Sequence, residues 1–239
     1  MGNRDVKRSL LRAALFVGAF TALDDAAAIE IAIDDTRIEL AAPSGYCPLD
    51  RKGWPGSQLI DFTSDGIKKQ GERLAYFVDC ERIRSWPEGA SGKDVEDIVD
   101  YQASLQLRDQ NVTSAMLEEL CATLRKGDDS SKGFLDLFLK AIKGAVMGRY
   151  GGAEETVLTY VVLGYEDMAC HVFSSRLTKS REQIYTVSAL ALIKSKLVTV
   201  HVSKTFGTMD VLKGKTEDIV KHLLDMSQEA ATALIDANQ

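Results

Sequence analysis

Apolar and polar positions alternate with a period of two over much of this chain. Ile29, Ile31 and Ile33 share one face of a short segment, and Ile38 and Leu40 share a face of the next. With Asp34-Asp35 between them, segments 29–33 and 37–41 are predicted to form a hairpin. Pro43-Ser44-Gly45 breaks the pattern, and 46–56, with two prolines and two glycines, reads as a loop. Segment 57–71 carries Leu59, Ile60, Phe62 and Ile67 and ends at Gly71, which predicts a short helix. The compact run 74–80 (Leu-Ala-Tyr-Phe-Val-Asp-Cys) reads as a buried strand. After a Pro/Gly loop at 86–92, Val99, Tyr101, Ala103, Leu105 and Leu107 alternate with polar residues, the signature of a half-buried strand.

The period then changes. Thr113 or Ser114 can cap a helix reaching Lys126, with Met116, Leu117, Leu120 and Leu124 on one face. A polar break at 127–131 precedes a second amphipathic helix, 132–149. Four β-rich segments follow at 155–164, 168–177, 184–193 and 197–204, joined by short connections that predict antiparallel pairing. A terminal helix is expected over 216–237, with Ile219, Leu223, Met226 and Ala230 inward. Segregated strands and helices point to an α+β domain with a mostly antiparallel sheet packed by helices, the helical pair 113–150 being an insertion.

The N-terminus changes the picture of address. Arg4, Lys7 and Arg8 precede an apolar core at 13–23, too short to span a bilayer. Ala26-Ala27-Ala28 supplies a cleavage pattern, so 1–28 reads as a signal peptide and 29–239 as the mature domain. No later run is long enough to cross a membrane. The expected location is periplasmic or secreted, in a bacterium. Four cysteines, Cys47, Cys80, Cys121 and Cys170, then suggest two disulfides in an oxidising compartment. Three connectivities exist, and the one favoured joins Cys47 to Cys80 and Cys121 to Cys170. Net charge is −6, and losing 1–28 makes it more acidic still. An acidic chain is a poor partner for nucleic acid.

The stretch Ala42-Pro43-Ser44-Gly45-Tyr46-Cys47, leaving a first strand, resembles the opening of Mog1/PsbP-like domains. Phe77-Val78-Asp79-Cys80 with Gly45-Tyr46-Cys47-Pro48-Leu49-Asp50 is similar to a group of exported bacterial proteins of unknown function. The resemblance implies an α/β/α sandwich and an accessory or binding role. It brings no catalytic residues.

Candidate chemistry is sparse. Of three histidines, His171, His201 and His222, none has a metal-site spacing, and each reads as a partly buried or surface residue. Cys170-His171 lies on a strand, where neighbours face opposite ways, so the two do not form a nucleophile and base. Asp34-Asp35 and Asp128-Asp129 read as solvated turns. No cofactor motif is present, and the catalytic residues, if any, are unknown. Phe134, Phe138, Ile142 and Val146 form an apolar stripe on helix 132–149, with lysines opposite. The stripe can pack on the sheet, lie on a membrane or close a pocket. Three functions are therefore expected in order: a non-enzymatic envelope binding or accessory protein, a carrier for a small molecule or lipid under helix 132–149, and a hydrolase with a triad assembled in space.

Overall fold

The computed structural model describes residues 28–49, 71–85, 97–105, 107–126, 156–166, 168–177, 183–206 and 216–239. Residues 1–27 of the expected signal peptide 1–28, residues 57–70 of the expected helix 57–71, the expected loop 86–92 and the whole of the expected helix 132–149 lie outside the described residues. Of the expected helical pair 113–150, only the first helix falls within the described residues.

Chain order begins with β1 (Ala28–Ile33) and β2 (Thr36–Ala41), which form the expected hairpin as a two-stranded sheet of its own. Asp34 takes the left-handed conformation, φ 54°, that the two-residue reversal requires. Next come β3 (Tyr46–Pro48), β4 (Gly71–Asp79), a one-turn helix α1 (Cys80–Arg84) and β5 (Asp97–Ser104). Helix α2 (Ser114–Lys126) follows, then the meander β6 (Thr156–Glu166), β7 (Ala169–Leu177), β8 (Gln183–Ile193) and β9 (Lys196–Phe206), and finally α3 (Thr216–Asp236).

Among the described residues seven strands make one antiparallel sheet in the order β3-β4-β5-β9-β8-β7-β6. The α+β class and the mostly antiparallel sheet are as the alternation predicts. Lys194 and Ser195 both have positive φ, 47° and 66°, which gives the β8–β9 loop the local twist of a two-residue hairpin.

Two readings are corrected. Tyr46–Pro48 was expected in a loop, but it pairs with β4: Tyr46 faces Asp79 and Cys47 faces Val78. Prolines and glycines signal a loop locally, yet a strand at a sheet edge tolerates proline, and a disulfide ties this one in place. Gly71 was expected to stop a helix and instead opens β4. Helix α1 was not foreseen. It starts where Asp79 Oδ1 accepts from Glu81 N (2.8 Å) and Arg82 N (3.0 Å), an N-cap inside a run that otherwise reads as strand.

Side chains divide between two faces. On the first, Phe77, Val99, Tyr101, Ala189, Val187, Val200 and Val202 are fully buried and meet Leu223, Ala230 and Leu234 of α3. Ile38 and Leu40 of the hairpin complete that core. Phe77 packs edge-on against Tyr101 at 5.3 Å. Asn238, just past α3, accepts from Glu39 N at 2.9 Å and donates to Glu39 O at 2.7 Å, so it pairs with β2 as a strand would.

On the second face α2 buries Leu117, Leu120, Cys121 and Leu124 against Cys170, Val172 and Leu190. Thr113 Oγ1 caps it by accepting from Met116 N at 3.3 Å. The disulfides join Cys47 to Cys80 and Cys121 to Cys170, the favoured pairing, across 33 and 49 residues. By loop-closure entropy each is worth about 4 kcal/mol against the unfolded chain. They belong to an oxidising, extracytoplasmic compartment. Among the described residues no helix is long and apolar enough to cross a membrane.

Tyr101 generates a test of this core. Its hydroxyl donates to Ala41 O at 2.8 Å, and burial pushes its pKa far above the ordinary value of 10.0. A phenol that ionises only in the unfolded chain stabilises the fold fully below about pH 10 and progressively less above it. Urea unfolding should therefore lose about 1.4 kcal/mol per pH unit above pH 10 from this group. Tyr101→Phe should flatten that alkaline slope while costing about 1 kcal/mol at neutral pH for the lost hydrogen bond. An unchanged slope in the variant would contradict the assignment.

Candidate functional site

The alternation over 99–107 predicts a half-buried strand, with the polar residues of β5 toward water. The structure buries them. Asp100, Gln102 and Ser104 of β5, Thr199, His201 and Ser203 of β9, Thr186 and Ser188 of β8, and Ser174 of β7 are all at most 5% exposed. The expectation that the 99–107 strand is half-buried is thus corrected: β5 is buried on both faces, as are β8 and β9 beside it. A signal for this exists in the sequence. A strand face turned to water favours Lys and Glu, whereas this face carries hydroxyls, an imidazole, an amide and one carboxylate.

Burial at this depth requires every polar group to find a partner, and most do. Arg73 Nε donates to Asp100 Oδ1 at 3.2 Å, with both side chains almost wholly buried. Gln102 Nε2 donates to the other carboxylate oxygen at 2.6 Å. The Arg73 guanidinium also lies over the Tyr76 ring, 4.1 Å from its centre. Thr186 Oγ1 and Ser203 Oγ are 2.8 Å apart, and Ser188 Oγ lies 2.7 Å from His201 Nδ1. Ser104 Oγ and Ser174 Oγ, at the margins of the band, are buried with no hydrogen-bond partner.

Strand register sets Asp100 opposite His201 and His201 opposite Ser188. A serine, a histidine and an aspartate therefore stand in one row across three strands, a juxtaposition no local motif announces. All three are fully buried. The Asp100 oxygens are engaged by Arg73 and Gln102, so the row is a hydrogen-bonded part of the core. His201 and His171, expected to be partly buried or at the surface, are both buried; His222 is exposed on α3.

Cys170 and His171 do face opposite ways. Cys170 is held by Cys121, and His171 turns to the α3 side, where its Nδ1 lies 3.3 Å from Ser227 Oγ. There a cleft of about 310 Å³ opens between α3 and the β6–β7 end of the sheet, lined by Leu163, Gly164, Tyr165, His171, Leu224 and Gln228. β6 carries a register irregularity between Val162 and Gly164, and bulges of this kind re-aim side chains near sites. Gly164 stands opposite His171, and a Cβ built on it would meet nothing within 4 Å. Its missing side chain is part of what holds the cleft open. Burial, with a smaller contribution from the Glu118 charge, raises the Tyr165 pKa above its ordinary value.

Of the residues singled out from sequence, Phe134, Phe138, Ile142 and Val146 lie outside the described residues, as does Asp128-Asp129. Asp34-Asp35 forms the β1–β2 turn. Among the described residues no group of three or more His, Cys, Asp or Glu is placed to hold a metal ion. Sequence reasoning missed Gly164, Leu224, Ser227 and Gln228, which meet only when α3 docks.

No family model matches the chain, and no curated protein matches it. Among solved structures it is similar to a mutant of protein Mog1, at 10% identity and a TM-score of 0.32. It is likewise similar to the Saccharomyces cerevisiae Ran-binding protein Mog1p, at 10% identity and a TM-score of 0.31. Each alignment covers 89% of this chain and 94% of the other. The likeness is a weak one, of fold, to the same family that the Ala42–Cys47 stretch resembles.

The buried ion pair gives a direct test of the polar band. Asp100→Ala removes the carboxylate from beside a buried guanidinium and should cost about 3–5 kcal/mol in urea unfolding. Combining it with Arg73→Met should recover most of that loss, since an apolar pair of similar size suits a dry site. Equal instability of the double variant would show that the pair is not the buried unit described.

Proposed function

We propose that this chain is an exported, non-enzymatic binding domain of the bacterial cell envelope, working in the periplasm or outside the cell. Its binding site is the cleft between α3 and the β6–β7 edge. One observation carries the reading: this cleft is concave, mixed in chemistry and floored by a glycine whose absent side chain leaves it open. Its volume lies at the lower end of small-molecule sites, which are mostly apolar with a few placed polar groups. A carrier role remains part of the proposal, with the pocket beside α3 in place of one beneath helix 132–149.

Native mass spectrometry of the protein purified from its exporting host tests this. The expected spectrum begins at Ile29, carries two disulfides and includes an added mass that Gly164→Phe abolishes. Clean, identical apo masses for both proteins would count against the cleft. Residues 1–28 still attached to a reduced protein would count against export.

The row Asp100–His201–Ser188 favours a second reading, a serine hydrolase, because Ser188 Oγ is within hydrogen-bond reach of an imidazole. Complete burial argues against it, since a nucleophile must meet its substrate. A fluorophosphonate that labels accessible catalytic serines should leave the folded protein unmodified. Stoichiometric labelling at Ser188 would replace the binding reading with the hydrolytic one.

A further inference from the structure

We infer that the α3–β6 cleft takes a small, uncharged, ring-sized compound bearing a hydrogen-bonding group, and not a two-chain lipid or an ion. The inference rests on the cleft being the binding site proposed above, and it names the class of ligand.

Size excludes the lipid. At about 30 Å³ per water-sized group, 310 Å³ holds about ten such groups. A diacyl phospholipid has several times that many non-hydrogen atoms. A single substituted ring fits.

Charge excludes the ion. None of the lining residues Leu163, Gly164, Tyr165, His171, Leu224 and Gln228 is a Lys, Arg, Asp or Glu. Among the described lining residues an ion would meet no carboxylate, ammonium or guanidinium to replace its lost hydration, a penalty that neutral groups largely escape.

The polar lining is nevertheless specific. The Gln228 amide and the His171 imidazole present both donors and acceptors. The His171 ring is held from behind by Ser227, with Nδ1 and Oγ 3.3 Å apart. Leu163 from the sheet and Leu224 from α3 supply apolar walls for a ring. A ligand with an apolar body and one amide or hydroxyl group matches that arrangement, because each of its halves meets like chemistry.

Benzamide, benzoate and benzamidine share one shape and differ in charge, so they separate the possibilities. Each is titrated into the mature, oxidised, isotopically labelled protein at neutral pH and followed by NMR at Leu163, His171 and Leu224. Benzamide should shift these resonances with a Kd on the order of 1 mM, reasonable for so small a ligand. Benzoate and benzamidine should bind at least about tenfold more weakly. Gly164→Phe should remove the benzamide shifts, whereas Gly164→Ala, which leaves most of the cleft open, should keep them.

Gly164 is outside the left-handed region and a Cβ there meets open space, so both variants should fold, which their spectra report directly. Tighter binding of benzoate or benzamidine than of benzamide would overturn the ligand class and leave the binding reading standing. Absence of shifts from all three, or benzamide shifts that survive Gly164→Phe, would also overturn the inference. Native mass spectrometry decides the broader reading separately. Co-purified phospholipid at the cleft would refute the size argument alone.

Discussion

Tyr101, Val200 and Ala189 stand side by side across β5, β9 and β8, and one residue along each strand Asp100, His201 and Ser188 do the same. Side chains on a strand alternate with a period of two, so a slip of one residue would exchange these rows. The imidazole and carboxylate would enter the core beneath α3, and the valines would lie in the polar band. Neither face tolerates the other's residues. The apolar face has no partners for a charge, and the polar band is built from hydrogen bonds such as Ser188 to His201 at 2.7 Å. Register at the sheet centre is therefore fixed from both sides, and the rest of the structure is arranged around it.

What is added outside the central strands is attachment. The Cys121–Cys170 disulfide holds α2 to β7 on the polar side, and Cys47–Cys80 fastens β3 beside the end of β4. On the apolar side α3 lies along β8 and β9, with the hairpin beside it and Asn238 joining the two. Because α3 sits over the middle of the sheet, the β6 end projects past it. A bulge and a glycine in β6 turn that overhang into a cleft. The two faces thus differ in kind: one holds a buried polar network between the strands, and the other has an opening at its margin.

Much of the fold was legible because its signals are local. The meander, the first hairpin, α2 and α3 follow from periods of two and 3.6, and the capping Thr113 and the φ-positive Lys194-Ser195 turn sit where polar punctuation marks them. β3 was not legible, since its pairing depends on a strand distant in sequence and on a disulfide. The site was harder still. Alternation says which residues share a face, but it is silent on whether that face is wet. The 99–107 strand was read as half-buried for that reason, although the lack of Lys and Glu on the polar face carried the correction. The cleft residues Gly164, His171, Leu224 and Gln228 come from a strand bulge, a neighbouring strand and the last helix, and their meeting is a product of docking.

The central claim is that the polar face is sealed and structural while the working surface lies elsewhere. Native-state hydrogen exchange at the Ser188 and His201 amides measures the seal most directly. If the face is sealed, these amides exchange only when the whole molecule unfolds, with the same free energy and denaturant dependence as Val187 and Val200 in the apolar core. Exchange at a much lower free energy, insensitive to denaturant, would mean that the band opens locally to water. The row of Asp100, His201 and Ser188 would then be an accessible site, and the sealed, purely structural role of this face would be contradicted.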